Sequence, residues 1–412
     1  MNEEKELTFT INPKRLRYIL SLYKISNNDF ISQINKERKR NLLTDSDLEQ
    51  IFNRKKKVDL SFLKRIDKIF EMGLTWYISD RELPEKQTSS IFFRKDSFNT
   101  ELNLETRKKV NMFEELKFEI ITLCNYINFK PDRNLVKYKI TDNVKNVAKE
   151  IRDKFDEIEN KLIQDKIIKR TNTPKEFLKN LIRIFEEFNI FVFEFVDRRV
   201  IEDKKTKFDG FFISPNIIVI KRQQDYLRRE IFTLMHEFAH FLIDEEEIDV
   251  IIDNEQYDKT NNIERWCYNF SYYFLSGKHN SVIEKLQNAS QSNNFLKRDI
   301  EQVYNNTFLS YSSIYTQLLI KNKISYDNYK QIVNSINSKI TEKIRRKKEI
   351  QKIERERQKE SGEKPFIGSS KPIISNLFKE IVEINFIQGN INRNDLKYYN
   401  KVFSSNIMSE VF

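Results

Sequence analysis

Only six glycines occur in 412 residues, where average usage would place roughly 29. The shortage removes a class of ligand cradle. Neither GxGxxG nor GxxxxGKS/T is present. The usual dinucleotide and P-loop phosphate sites, which need glycine for close backbone approach, are therefore excluded. Histidine is scarcer still, with three in the chain, two of them four residues apart.

The remaining composition fits a multidomain globular protein. The length suggests two or three domains. With 33% charged residues the chain is polar, yet 33 Phe and 17 Tyr can fill a core. A net charge of +11 favours an anionic partner only weakly when spread over so long a chain. Cys124 and Cys267 are the only thiols, which excludes a disulfide framework and suits a reducing compartment. The N-terminus MNEEKELTFT lacks an apolar signal core, and no run of eighteen apolar residues occurs. A cytoplasmic protein with no membrane partner is expected.

Periodicity predicts short helices through the first eighty residues. Pro13 opens KRLRYILSLYK, an Asn cap precedes a helix in 27–34, Thr44 heads TDSDLEQIF, and 59–73 ends at Gly73 as a C-cap. Residues 81–103 read as a linker around Pro84. Longer helices are predicted from Leu104 to about Ile127, from Thr141 to about Leu162, and from Pro174 to Phe188. Then NIFVFEFV (189–196), FDGFFI (208–213) and NIIVIK (216–221) turn rich in β-branched and aromatic residues. Ser214-Pro215 between the last two marks a hairpin or tight turn. An apolar helix over about 225–243, an acidic loop and a helix over about 262–275 follow. The rest is helical, including a segment of mixed charge (339–364) that reads as a solvated helix or, less simply, a nucleic-acid arm.

The chemistry concentrates in His236-Glu237-Phe238-Ala239-His240. On a helix, positions four apart share one face, so both imidazoles can reach one ion. Chance gives HExxH in roughly one such sequence per thousand. The apolar flanks predict burial, where two histidines and a glutamate are costly unless paired or metal-bound. Glu237 is the candidate general base, moving a proton from water to the leaving amine. A catalytic zinc needs a third ligand. Asp244 would align three ligands along one helix, a poor tetrahedral arrangement. Glu246 lies where longer HExxH patterns place their third ligand, but Ile243 stands at the required helix-breaking glycine. Glu264, at the start of the next helix, is favoured. Cys267 reads as a small buried residue, and His279 as a surface histidine or a possible transition-state donor. NIIVIK or FDGFFI could supply an edge that holds substrate by main-chain pairing, or both could simply form the sheet beneath the helix.

These residues resemble the ImmA/IrrE family of zinc metallopeptidases. The likeness runs through VFEF (192–195), DGFF (209–212), IIVI (217–220), RREIFTLMHEFAHFLI (228–243) and IERWCYNFSYYFL (263–275). In the last segment Glu264, Cys267, Phe270, Ser271 and Leu275 match, while Tyr268 stands for the family's Asn and Ser276-Gly277 for its Met-Pro. The resemblance implies one Zn2+ held by His236, His240 and Glu264, with Glu237 as base. The N-terminal region is similar to the XRE-type helix-turn-helix that accompanies long family members, followed by Pro84 and Phe93-Arg94, although KERKRNLL replaces the tight turn. Lys36, Arg38, Lys39, Arg40, Arg54, Lys55, Lys56 and Lys57 could contact phosphate. Segments 309–329 and 391–403 resemble companion segments of long members.

The expected fold class is α+β, mostly α. It comprises a helix-turn-helix-like domain (1–80), the linker (81–103), a zincin-like metallopeptidase domain with a small sheet (104–280), a helical domain (281–345), a charged linker helix (346–366) and a C-terminal helical unit (367–412). The expected function is zinc-dependent cleavage of a repressor-type DNA-binding protein, releasing genes of a mobile element, stress response or toxin-antitoxin module. The alternative is a regulator of double-stranded DNA whose peptidase-like domain senses without cutting.

Overall fold

The computed structural model describes residues 8–23, 25–36, 42–70, 72–81, 104–197, 206, 208–222, 226–246, 248–250, 262–286, 297–361 and 372–402. Most of the expected 81–103 linker, Arg38 to Arg40, Pro84 and Phe93-Arg94 lie outside them. The described chain is mostly helical with small sheets and separates into two compact units. One is residues 1–112 with 201–206, the other 113–200 with 207–412.

The first unit contains α1 (Pro13–Leu22), α2 (Asn27–Asn35), α3 (Asp45–Phe52), α4 (Leu60–Phe70) and α5 (Leu74–Ile78). A two-stranded ribbon pairs β1 (Thr8–Phe9) with β2 (Val58–Asp59). Local chemistry sets each start. Asn12 accepts from Lys14 N ahead of Pro13. Ser26, not an Asn, caps α2 by accepting from Asp29 N. Thr44 and Asp47 form a reciprocal capping box at α3. Gly73 takes a positive φ of 87° at the head of α5 and does not close α4. Leu16, Ile19, Phe30, Leu48, Ile51, Leu63, Ile66 and Tyr77 fill the core. Arg15 joins the unit's ends by donating to the carbonyls of Ser79 (2.8 Å) and Arg81 (2.7 Å).

The second unit takes in the later part of α6 (Leu104–Tyr126), then α7 (Val144–Gln164) and α8 (Pro174–Glu187). Its sheet contains β3 (Phe191–Phe195), β4 (Phe208–Ile213), β5 (Ile217–Lys221) and β6 (Ile248–Val250), in the order β3-β5-β4-β6. β3 and β5 are parallel; β4 is antiparallel to both neighbours. This order corrects one expectation. FDGFFI and NIIVIK are interior strands, because β6, inside the stretch read as an acidic loop, pairs with β4. The β3 edge is also taken. Glu194 N donates to Ile373 O (2.9 Å) and Ser375 N to Val192 O (3.0 Å), so a C-terminal segment adds to the sheet. Glu186 Oε1 then accepts from Asn376 N (2.5 Å), placing a carboxylate at the N-terminus of α15 (Asn376–Ile387), where the helix dipole favours it. α16 (Arg393–Val402) follows.

Between sheet and outer helices lies α9 (Leu227–Ile243), buried from Leu234 to Ile243, and packed on it is α10 (Asn262–Ser276). Phe238 is two residues from both His236 and His240, so it points away from the histidine face. It meets Phe185 (4.6 Å between centroids), Phe155 (5.5 Å) and Phe270 (6.0 Å). A 3-10 turn (Gly277–His279), α11 (Asn280–Lys285), α12 (Lys297–Asn306), α13 (Tyr311–Ile320) and the long α14 (Tyr326–Glu360) complete the unit. Among the described residues no helix is long and apolar enough to cross a membrane.

Phe238 is fully buried, so Phe238→Ala should cost about 3–5 kcal/mol. Urea unfolding followed by Trp266 fluorescence, in a background where Trp76 is replaced by Phe, checks it.

Candidate metal centre

Seventeen residues of regular helix bring His236 and His240 onto one face of α9, with ring centroids 5.0 Å apart. Glu264 reaches them from the first turn of α10, where the helix dipole favours a carboxylate. Glu264 Oε2 lies 3.0 Å from His236 Nε2, and Oε1 lies 3.3 Å from His240 Nε2. The two Nε2 atoms are themselves 3.3 Å apart. All three residues are buried, and this is the group of His, Cys, Asp and Glu side chains, among the described residues, whose donor atoms converge closely enough to hold a metal ion.

Hydrogen bonding selects the chemistry of those donors. His240 Nδ1 sits 3.1 Å from the Glu245 carbonyl, which can only accept. Nδ1 therefore carries the proton, and Nε2 turns its lone pair toward Glu264 and His236. A carboxylate and imidazole lone pairs crowded together repel one another unless a proton or cation lies among them. The spacing suits a cation. Ligand bonds of ~2.0 Å in a tetrahedral site give ligand-to-ligand edges of about 3.3 Å; the two Nε2 atoms stand 3.3 Å apart, and Glu264 turns Oε2 to His236 at 3.0 Å and Oε1 to His240 at 3.3 Å. Where a proton rather than an ion lies among them, burial opposes the charge of Glu264, but hydrogen bonds and attraction from protonated imidazole at His236 and His240 outweigh it and hold its carboxyl well below the ordinary range. The donor set fits a divalent ion of zinc type.

Glu237 is fully buried. Its place depends on Gly210 in β4: a Cβ there would come within 2.8 Å of Glu237 Oε1 and of Thr233 Cγ2. Glycine lets the strand approach the helix at the residue beside the first histidine. The end of α9 is fixed with equal care. Arg133 Nη2 (2.8 Å) and Tyr138 N (3.0 Å) donate to the Leu242 carbonyl, and the Arg133 guanidinium lies 4.3 Å from the Phe241 ring centroid. A cation at a helix C-terminus also meets the favourable end of the dipole. Neither Arg133 nor Tyr138 carried a sequence signal. Gly210 did, since an isolated glycine in a strand marks close backbone approach.

The other candidates fall elsewhere. Asp244 adopts a left-handed cap (φ 57°) and binds Ser214 Oγ and Lys137. Glu246 accepts from Ser214 N at 2.7 Å. Cys267 is fully buried, and its sulfur is outside the converging group. His279, read as a surface histidine or a transition-state donor, lies half-buried in the 3-10 turn that follows α10. Burial and Lys278 lower its pKa. In the first unit Lys36, Arg54, Lys55 and Lys57 are exposed, while Lys56 pairs with Asp47 and Arg54 with Asp80.

His236 also forms part of the wall of a cleft of about 1350 Å³. The cleft runs past Asp209, Arg229 and Tyr268 toward α13 and α14. Tyr268, which replaces an expected Asn, donates to Ser313 O at 3.2 Å and ties α10 to α13.

Residues 185–275 match the peptidase family M78 model, described as the IrrE N-terminal-like domain. The match begins near the end of α8, includes the sheet, α9 and Glu264, and ends one residue before α10 does. This central region is thus metallopeptidase-like. No curated protein and no solved structure gives a match.

The purified protein should hold one zinc ion per chain, with zinc at about 100 times its Kd stabilising it by about 2.7 kcal/mol. Glu264→Ala should lower zinc affinity by at least ~10-fold, since even outer partners of metal ligands cost 10–100-fold. Unchanged zinc content in that variant, measured by elemental analysis, would remove Glu264 from the ligand set.

Proposed function

We propose that this chain is a cytoplasmic zinc-dependent endopeptidase that cuts a repressor-type DNA-binding protein and so switches gene expression. The observation that carries the peptidase reading is the convergence of His236 and His240 of α9 with Glu264 of α10 at 3.0–3.3 Å, with His236 in the cleft wall and Glu237 beside it on α9. When bound, zinc supplies a Lewis acid that polarises the scissile carbonyl and makes water acidic enough to attack near neutral pH. His236 and His240 present neutral Nε2 donors, and Glu264 contributes negative charge that balances the cation. The Glu245 carbonyl holds the His240 tautomer, a partner that raises ligand basicity and fixes ring orientation.

Glu237 does the proton work. Its carboxylate accepts the proton lost by the attacking water and delivers it to the departing amine nitrogen. Burial excludes bulk water from that proton, and the β4 backbone at Gly210 fixes where the carboxylate can lie.

The repressor as substrate is supported by the likeness of residues 1–80 to an XRE-type helix-turn-helix and of the centre to ImmA/IrrE peptidases. The first unit would bring the enzyme to DNA or to the repressor, with controlled genes in a mobile element, stress response or toxin-antitoxin module. Exposed Lys36, Arg54, Lys55 and Lys57 favour a second reading, a double-stranded DNA-binding regulator whose peptidase-like domain senses without proteolysis. Salt-dependent duplex affinity with no cleavage of any neighbouring repressor would select it.

Incubation with the XRE-type repressor encoded beside the gene should yield a fragment that a chelator suppresses. Glu237→Gln should keep its zinc and lose roughly 10²–10⁴-fold in cleavage rate; cleavage at the wild-type rate would end this mechanism. Gly210→Ala should also retain zinc yet cut about tenfold or more slowly, since small displacements of a catalytic group carry costs of that order.

A further inference from the structure

We propose that the cleft beside His236 receives an acidic polypeptide segment, and that α14 reads its charge. The role given to this segment, that of substrate, rests on the peptidase reading above.

The α14 wall of the cleft carries two neighbouring ridges. Ile336, Ile340 and Ile344 form one; Lys339, Lys343 and Lys347 form the other. Both repeat every four residues, a helical rise of about 6 Å per step. Side chains on one face of an extended peptide recur at about 6.6–6.8 Å. Over three positions the mismatch is about 1.5 Å, within the reach of a flexible lysine. A strand with carboxylates on one face and apolar residues on the other therefore fits along α14, the isoleucines covering one row and the lysines pairing with the other. Ile336, Ile340 and Ile344 remain partly accessible in this helix, whose outer face is otherwise densely charged.

Two arginines of the cleft are committed within the fold. Arg228 donates to the carbonyls of Tyr304, Thr307 and Leu309 and stacks 3.8 Å from the Tyr304 ring. Arg229 binds Asp209. Lys339, Lys343 and Lys347 are exposed and set a row of positive charge along the α14 wall, with Glu301 an acidic group among the other lining residues. A single-stranded nucleic acid would want aromatic faces on which to stack bases. Tyr304 is covered by Tyr311 at 3.9 Å and by Arg228, and the row beside the α14 lysines is isoleucine, which suits apolar side chains and offers bases no ring to stack on. Polypeptide is favoured.

Full-length, zinc-loaded Glu237→Gln protein supplies the test, with three fluorescent probes. They are a short peptide of glutamates alternating with apolar residues, its counterpart with lysines, and a single-stranded oligonucleotide of similar length. The acidic peptide should bind about tenfold or more tightly than the lysine peptide, weakening as salt rises. Adding Lys339→Glu, Lys343→Glu and Lys347→Glu together should abolish or invert that preference. Equal binding of the two peptides, a preference that survives the triple reversal, or tighter binding of the oligonucleotide would overturn the proposal. Its fate is separable from that of the peptidase reading. If wild type cuts neither peptide while the reversible preference holds, the charge-reading cleft stands and the peptidase falls. If both peptides are cut with equal kcat/KM, the peptidase stands and the acidic-segment assignment falls.

Discussion

Two buried imidazole nitrogens 3.3 Å apart, each with one oxygen of the Glu264 carboxylate within 3.3 Å, are the arrangement around which this molecule is built. Nothing in the hydrophobic effect favours it. Two imidazoles and a carboxylate lose hydration on burial, and their lone pairs repel at such separations unless a proton or cation joins them. The surrounding fold must therefore hold α9 and α10 firmly enough to impose the contact. It does so with apolar mass. Phe238, between the two histidines in sequence but on the opposite side of the helix, is locked into rings from α7, α8 and α10. A turn of helix thus has one face committed to core packing and one to ion chemistry, and neither face can rotate without the other.

Polar groups set the fine position. The C-terminus of α9 delivers its carbonyl oxygens to Arg133 and Tyr138 N, while Asp244 turns the chain in a left-handed cap. That turn brings the Glu245 carbonyl to His240 Nδ1, so backbone geometry after the helix decides which ring nitrogen faces the other donors. On the opposite flank, the missing side chain of Gly210 admits Glu237 against β4. In a chain with few glycines, this one lies against the residue assigned the proton transfer.

What could be read in the sequence was what repeats locally. HEFAH carries its geometry in a four-residue spacing, so the shared face of His236 and His240 was legible. Glu264 followed from helix order and the length of the intervening loop. The strands FVFEF, FDGFFI and IIVIK announced themselves by composition. Their order did not, because β6 comes from an acidic stretch without β-branched density at its start, and the pairing of 373–375 with β3 spans some 180 residues. Either FDGFFI or NIIVIK could therefore be read as an edge strand, and neither is one. His279, read as a surface histidine with a transition-state donor as the alternative, has no spacing that ties it to the ion. The α14 ridges were present as a charged, isoleucine-spaced segment, yet only tertiary packing turns such a pattern into a wall of a cleft.

The central claim is the identity of the donors. X-ray absorption at the zinc edge of the loaded protein should show nitrogen and oxygen neighbours at ~2.0–2.2 Å, two of them imidazole, and no sulfur shell at ~2.3 Å. A sulfur neighbour would bring Cys267 into the ligand set and contradict the centre described above, as would a first shell without imidazole.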